Sequence, residues 1–268
     1  MTSSMNSATR TARVCTAALI VLLIAACKPL EPTPASNSTT GSGNAAAATG
    51  GTATGSAVAA AAALPPSLIG KDLEAIPTTK KIVALTFDAG GNSAGLAKIL
   101  STLTAQQVPG TFFLTGAWAN AYPASVKQIV AAGHRLGNHT QTHPHLPTLS
   151  DTAATSQITT ARTNIMKAGG TDPQPLFRFP YGDRNAHTIS LVNKAGYIAV
   201  RWTVDTLGWK GTSGGASTSS VVSRVVNAAK PGEIVLMHVG TASSDYAALA
   251  QVVDRISAAG YGFVRADG

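Results

Sequence analysis

From Lys80 to the end of the chain, short apolar and β-branched runs alternate with longer helix-like stretches, and this alternation constrains the fold more than any other feature. Strand-like runs occupy 82–87, 111–115, 176–179, 198–204, 234–237 and 262–264. Helix-like stretches occupy 94–103, 123–132, 151–168, 186–195, 217–229 and 246–259. Gly133, Gly169, Gly196, Gly232 and Gly260 follow helical stretches, where a residue that tolerates left-handed backbone ends a helix. Strands that alternate with helices build a parallel sheet or barrel, with functional residues at the C-terminal strand ends. The expected fold is therefore α/β, in one domain at 67–268.

The first quarter of the chain reads differently. Arg10 and Arg13 precede an apolar run at 14–26 that is too short to span a bilayer, and it ends in Ile24-Ala25-Ala26-Cys27. Residues 1–27 are expected to be a lipoprotein-like signal peptide whose cleavage leaves Cys27 as the lipidated first residue, a membrane anchor. The expected location is the cell envelope, on its periplasmic or extracellular face. Residues 28–66 are Ala, Ser, Thr, Gly and Pro with almost no charge or large side chain, the composition of a disordered tether. About 38 such residues span roughly 30–40 Å as a flexible coil. Cys15 lies inside the removed segment, so the folded domain has no cysteine and a metal there must be held by His, Asp, Glu or Asn. The net charge of +8, or +6 without Arg10 and Arg13, suits an anionic wall or membrane surface. Basic residues are scattered and not interleaved with aromatics, which argues against nucleic acid as a partner.

Five short segments carry the polar chemistry. Asp88 closes an apolar strand before Ala89-Gly90, the placement a general base requires. His139 and His143 stand four apart before Pro144, a spacing that puts two imidazoles on one face of a helical turn and would direct His145 away from them. His134 reads as structural. Arg178 precedes Phe179-Pro180-Tyr181 and would hold a neighbouring carboxylate ionised. Asp205 lies between Trp202 and Trp209, residues able to line a sugar-binding cleft, and His238 ends a strand. The run from Gly211 to Gly215 matches G-x-S-x-G around Ser213, but no hydrophobic strand directly precedes it, and it reads as a flexible loop.

In this order and spacing, the segments around Asp88, His139 and His143, Arg178, Asp205 to Trp209, and His238 resemble the NodB-homology polysaccharide deacetylases, carbohydrate esterase family 4. The resemblance covers about 80–266. It implies a distorted (β/α) barrel and a divalent metal, usually zinc with cobalt as an alternative. The implied activity removes acetyl groups from N-acetylhexosamine polymers such as peptidoglycan or chitin, or from acetylxylan. Transferred to matching positions, Asp88 is the general base, Arg178 tunes it, and His139 and His143 bind metal. The Tyr181 backbone N–H contributes to the oxyanion hole and His238 protonates the leaving amine. Tyr181, Asp205 and Trp209 would contact substrate, and the enzyme is expected to be a monomer.

Two positions depart from that pattern. Ala89 stands where a second, metal-binding aspartate is usual, and Gly208 stands where an acidic residue usually orients the acid histidine. The metal would then rely on Asn92, on Asp88 itself, or on the two histidines and water, and would be held weakly. The alternative function is a catalytically silent glycan-binding module.

Overall fold

Nine strands run parallel in a curled sheet with helices packed around it, in a computed structural model that describes residues 65–240 and 242–268. The expected signal peptide and nearly all of the expected tether lie outside the described residues. Among those described, no helix is long and apolar enough to cross a membrane.

In chain order the elements are β1 (Asp72–Leu73), β2 (Ile82–Ala89), α1 (Leu96–Ala105), β3 (Thr111–Leu114), α2 (Gly116–Ala121), α3 (Pro123–Ala131), β4 (Arg135–Asn138) and α4 (Asp151–Gly169). There follow β5 (Leu176–Phe177), α5 (Ala186–Lys194), β6 (Ile198–Val200), β7 (Val204–Asp205), α6 (Thr218–Ala228), β8 (Glu233–His238), α7 (Asp245–Ala258) and β9 (Gly262–Val264). The strands are ordered β1-β6-β5-β4-β3-β2-β8-β7, with β9 also pairing β2. This is the expected distorted (β/α) barrel.

Central strands buried on both faces must be apolar nearly throughout, and β2 is the clearest case. Val83, Leu85, Phe87 and Ala89 join the cluster beneath the helices with Ile99 and Leu103 of α1, Val225 of α6 and Leu249 of α7. Ala84 faces the opposite side with Phe113, Val200 and Ile234. Thr86 and Asp88 share that parity, so a two-residue repeat delivers a carboxylate to the strand end on the sheet's concave side. Pairing sets its neighbours. Asp88 is in register with His238 of β8 and with Phe113 of β3, and Phe113 is in register with Gly137 of β4.

The observed elements differ from expectation in several places. The run at 198–204 is two strands, because β6 pairs with β1 and β5 whereas β7 pairs with β8. Between them, Arg201 N–H donates to the Leu73 carbonyl and Thr203 N–H to the Ile234 carbonyl. Helix α2 was not anticipated; it starts because the Thr115 hydroxyl accepts from Trp118 N–H as an N-cap. Gly169 is the last helical residue of α4, and Gly170, at φ +72°, is the left-handed residue that ends it.

Gly137 is required by packing. A Cβ there would lie 2.5 Å from the Phe113 ring. Gly137→Ala should therefore lower the unfolding free energy in urea by about 1–3 kcal/mol, the usual cost of overpacking.

Candidate active site

Asp88 and Arg178 form a buried ion pair at the C-terminal end of the barrel. Arg178 is 0% exposed, and its Nη1 donates to Asp88 Oδ1 at 2.8 Å and to Thr86 Oγ1 at 2.9 Å. Its Nε donates to the Val200 carbonyl and its Nη2 to the Arg201 carbonyl. The guanidinium lies 4.0 Å from the centre of the Phe113 ring, the ring that Gly137 admits. Burial raises the Asp88 pKa, but Arg178, then His139 and His238, outweigh it and hold the carboxyl below its ordinary value. Asp88 is thus an anion with one oxygen committed to arginine.

His139 follows β4, and the loop after it is not a helical turn. Thr140 and His143 both have left-handed backbone, at φ +69° and +63°. Side chains hold these conformations: Asn138 Oδ1 accepts from Thr140 N–H, and Thr140 Oγ1 accepts from His143 N–H. The four-residue spacing did bring the imidazoles together, by a different backbone path. Their Nε2 atoms are 3.1 Å apart. His139 Nδ1 sits 2.8 Å from the Arg178 carbonyl, which can only accept, so Nδ1 carries the proton and Nε2 presents a lone pair. Burial lowers both histidine pKa values, that of His143 to about 4 with help from His139, so both rings are neutral near pH 7. The 3.4 Å approach of Asp88 Oδ2 to His139 Nε2 is accordingly not an ion pair. His145 is near the site but stacks on the Tyr181 ring at 4.1 Å and bonds Asp183.

Asp88, His139, His143, Tyr181, Asp205, Trp209 and His238 all line one cavity of about 570 Å³, together with Phe179, Trp202 and Leu236. That volume suits one or two sugar rings. Tyr181, 61% exposed, and Trp209, 48% exposed, are apolar surfaces facing solvent at the cavity. The Tyr181 ring also meets His143 edge-on at 4.5 Å. Ser213 is exposed in a 3-10 turn between Gly211 and Gly215, not on a strand-to-helix elbow.

Residues 75–200 match the family model described as polysaccharide deacetylase. The chain is 32% identical over 191 residues to a peptidoglycan-N-acetylglucosamine deacetylase of Bacillus cereus, covering 70% of this chain and 68% of that one. It is 37% identical over 161 residues to a chitooligosaccharide deacetylase of a Bradyrhizobium species, covering 59% and 70%. The chain belongs to the polysaccharide deacetylase family. A solved structure with a similar fold is a mutant, with restored enzymatic activity, of a CE4 family pseudoenzyme from Bacillus anthracis. The TM-score is 0.64 at 32% identity, over 69% of this chain and 65% of that one.

The deacetylase domain keeps only part of a metal-binding donor set. Two neutral imidazoles with facing Nε2 atoms fit a divalent cation. Catalytic zinc sites add a third protein ligand, and Ala89 is a buried methyl in the apolar cluster beneath the helices. Among the described residues, no group of three or more His, Cys, Asp or Glu is arranged to hold a metal ion. Asn92 is exposed on the turn after β2, its Oδ1 accepts from Ala94 N–H, and it is not among the cavity-lining residues. Sequence reasoning missed Asp245. This fully buried carboxylate sits beneath His238 at the start of α7, and no local pattern around it signals a role.

Removing one member of a buried pair strands the other charge. Arg178→Met should cost about 3–5 kcal/mol in unfolding free energy, and adding Asp88→Asn to it should recover part of that loss. Equal stability of the two variants in urea unfolding would refute the coupling.

Proposed function

We propose that this polysaccharide deacetylase domain hydrolyses acetyl groups from an envelope or extracellular polysaccharide, a peptidoglycan or chitin-like N-acetylhexosamine polymer or acetylxylan. The observation that carries the reading is the register pairing of Asp88 with His238 at the ends of adjacent parallel strands. Such strands lie about 4.8 Å apart. One position therefore offers a base and an acid to the same acyl group.

Amide hydrolysis needs a deprotonated water, a stabilised oxyanion and a protonated leaving amine. Asp88, ionised beside Arg178, accepts the proton from the attacking water. Burial lowers the His238 pKa, but Asp245, then Asp88 and Asp205, overcome this and raise it above the ordinary histidine value. His238 thus holds its proton to higher pH than an ordinary histidine and is placed to give it to the amine. The Tyr181 N–H, in a turn at φ +59°, is assigned to the oxyanion. The Tyr181 and Trp209 rings and the Asp205 carboxylate are assigned to the sugar, by stacking and by accepting a hydroxyl proton. A divalent metal, zinc or cobalt, held weakly by His139 and His143 with Asn92 as a further candidate donor, would polarise the acyl carbonyl and acidify bound water. The protein is proposed to act as a monomer, exported and tethered to the envelope membrane through lipidated Cys27.

Ala89, together with the pseudoenzyme among the similar structures, favours a second reading as a glycan-binding module without turnover. Acetate release from N-acetylglucosamine oligomers and acetylxylan, with zinc or cobalt added, separates the two. The deacetylase reading expects release by the wild type and a loss of at least about 100-fold in Asp88→Asn, with oligomer binding retained. No release by folded wild-type protein with either metal would leave the binding module.

A further inference from the structure

Gly208 and Asp245 share one space. Gly208 lies in the short turn after β7 that leads to Trp209, and a Cβ built on it would fall 2.8 Å from Asp245 Oδ2 and nearer still to Oδ1 and Cγ. The carboxylate of Asp245, which begins α7, therefore fills the volume that a side chain at position 208 would take. Gly208 backbone lies outside the left-handed region, so conformation does not require glycine there. Room for Asp245 does.

The buried carboxylate is held from three segments. Its Oδ1 accepts from Thr206 Oγ1 at 2.7 Å, and its Oδ2 accepts from Ser243 Oγ at 2.7 Å and from His238 N–H at 2.8 Å. Oδ2 also lies 3.8 Å from His238 Nδ1, too long for a hydrogen bond, and Nδ1 is buried with no other partner among the described residues. Thr206, Ser243 and the His238 backbone thus fix an anion beneath the ring without neutralising it. The other groups facing His238 are Asp88 on β2, Asp205 on β7 and the neutral His139 and His143.

We infer that Asp245 is the positioning residue of His238: it holds Nδ1 protonated and directs Nε2 into the cavity, doing from α7 what an acidic residue at 208 would do from the β7 turn. The inference rests on the deacetylase reading for its catalytic consequence, not for the pairing itself. A histidine whose remote nitrogen faces a fixed carboxylate has one tautomer and stays protonated to higher pH.

The test uses Asp245→Asn and the exchange variant Gly208→Asp with Asp245→Ser, which returns the carboxylate to the β7 turn. Asp245→Asn should lower kcat by about 10–100-fold with little change in KM. It should also move the alkaline limb of the kcat profile to lower pH, because His238 then loses its proton sooner. The exchange variant should restore both, whereas Gly208→Asp alone should disrupt the site because two carboxylates cannot occupy one volume. NMR titration of the His238 ring reads the pairing without turnover, and its pKa should fall in Asp245→Asn. An unchanged His238 titration in folded Asp245→Asn overturns the inference, as does an unchanged kcat profile in a protein that Asp88→Asn inactivates. Wild-type protein that releases no acetate would defeat the deacetylase reading alone and leave the titration to decide on Asp245.

Discussion

The buried contact between Asp88 and Arg178 is the interaction on which the rest of the site depends. Two charges removed from water must recover their solvation from fixed partners. Here Thr86, the Val200 carbonyl and the Arg201 carbonyl complete the arginine's bonds, and Phe113 covers its face. These partners belong to β2, β3 and the end of β6, so the pair can be satisfied only when those strands are in their observed register. That register also puts His238 beside Asp88 and leaves the Arg178 carbonyl to orient His139. One ion pair thereby couples strand alignment to the protonation states of the site.

Charges around the cavity are divided by function. Arg178 keeps Asp88 anionic against the effect of its burial, burial keeps His139 and His143 neutral, and three carboxylates raise the His238 pKa above the ordinary histidine value. The two groups proposed as base and acid are thus biased toward opposite protonation states side by side, the arrangement that acyl hydrolysis requires. The metal-binding corner retains two neutral donors and lacks an anion at Ala89. The groups that the deacetylase reading assigns to proton transfer are all present, whereas the donor set it assigns to a metal is reduced.

The barrel was legible because strands buried on both faces leave continuous apolar runs and because helices end in glycine. Asp88, Arg178, Asp205 and His238 stood out for the same reason, each closing or following such a run. The break at Arg201 to Thr203 was hidden, because Trp202 and Val204 carry the strand-like pattern onward and only a change of pairing partner separates the two strands. Helix α2 is short and rich in Ala and Gly, with its cap signal in a single threonine. The His139 and His143 pair was found by spacing but assigned the wrong backbone, since two left-handed residues and a helical turn place side chains four apart on the same side. Asp245 could not be read locally: its place depends on a volume vacated by Gly208 in another loop, a relation that only the folded chain displays.

The proposed site keeps its proton-transfer groups around a metal position short of one anionic ligand. Equilibrium zinc titration of the chelated wild-type protein at neutral pH tests it most directly. Two neutral imidazoles should bind zinc with a dissociation constant of about 1 µM or weaker, near 8 kcal/mol of binding free energy. Binding at about 1 nM, near 12 kcal/mol, would overturn the two-histidine site and require a third protein ligand in it.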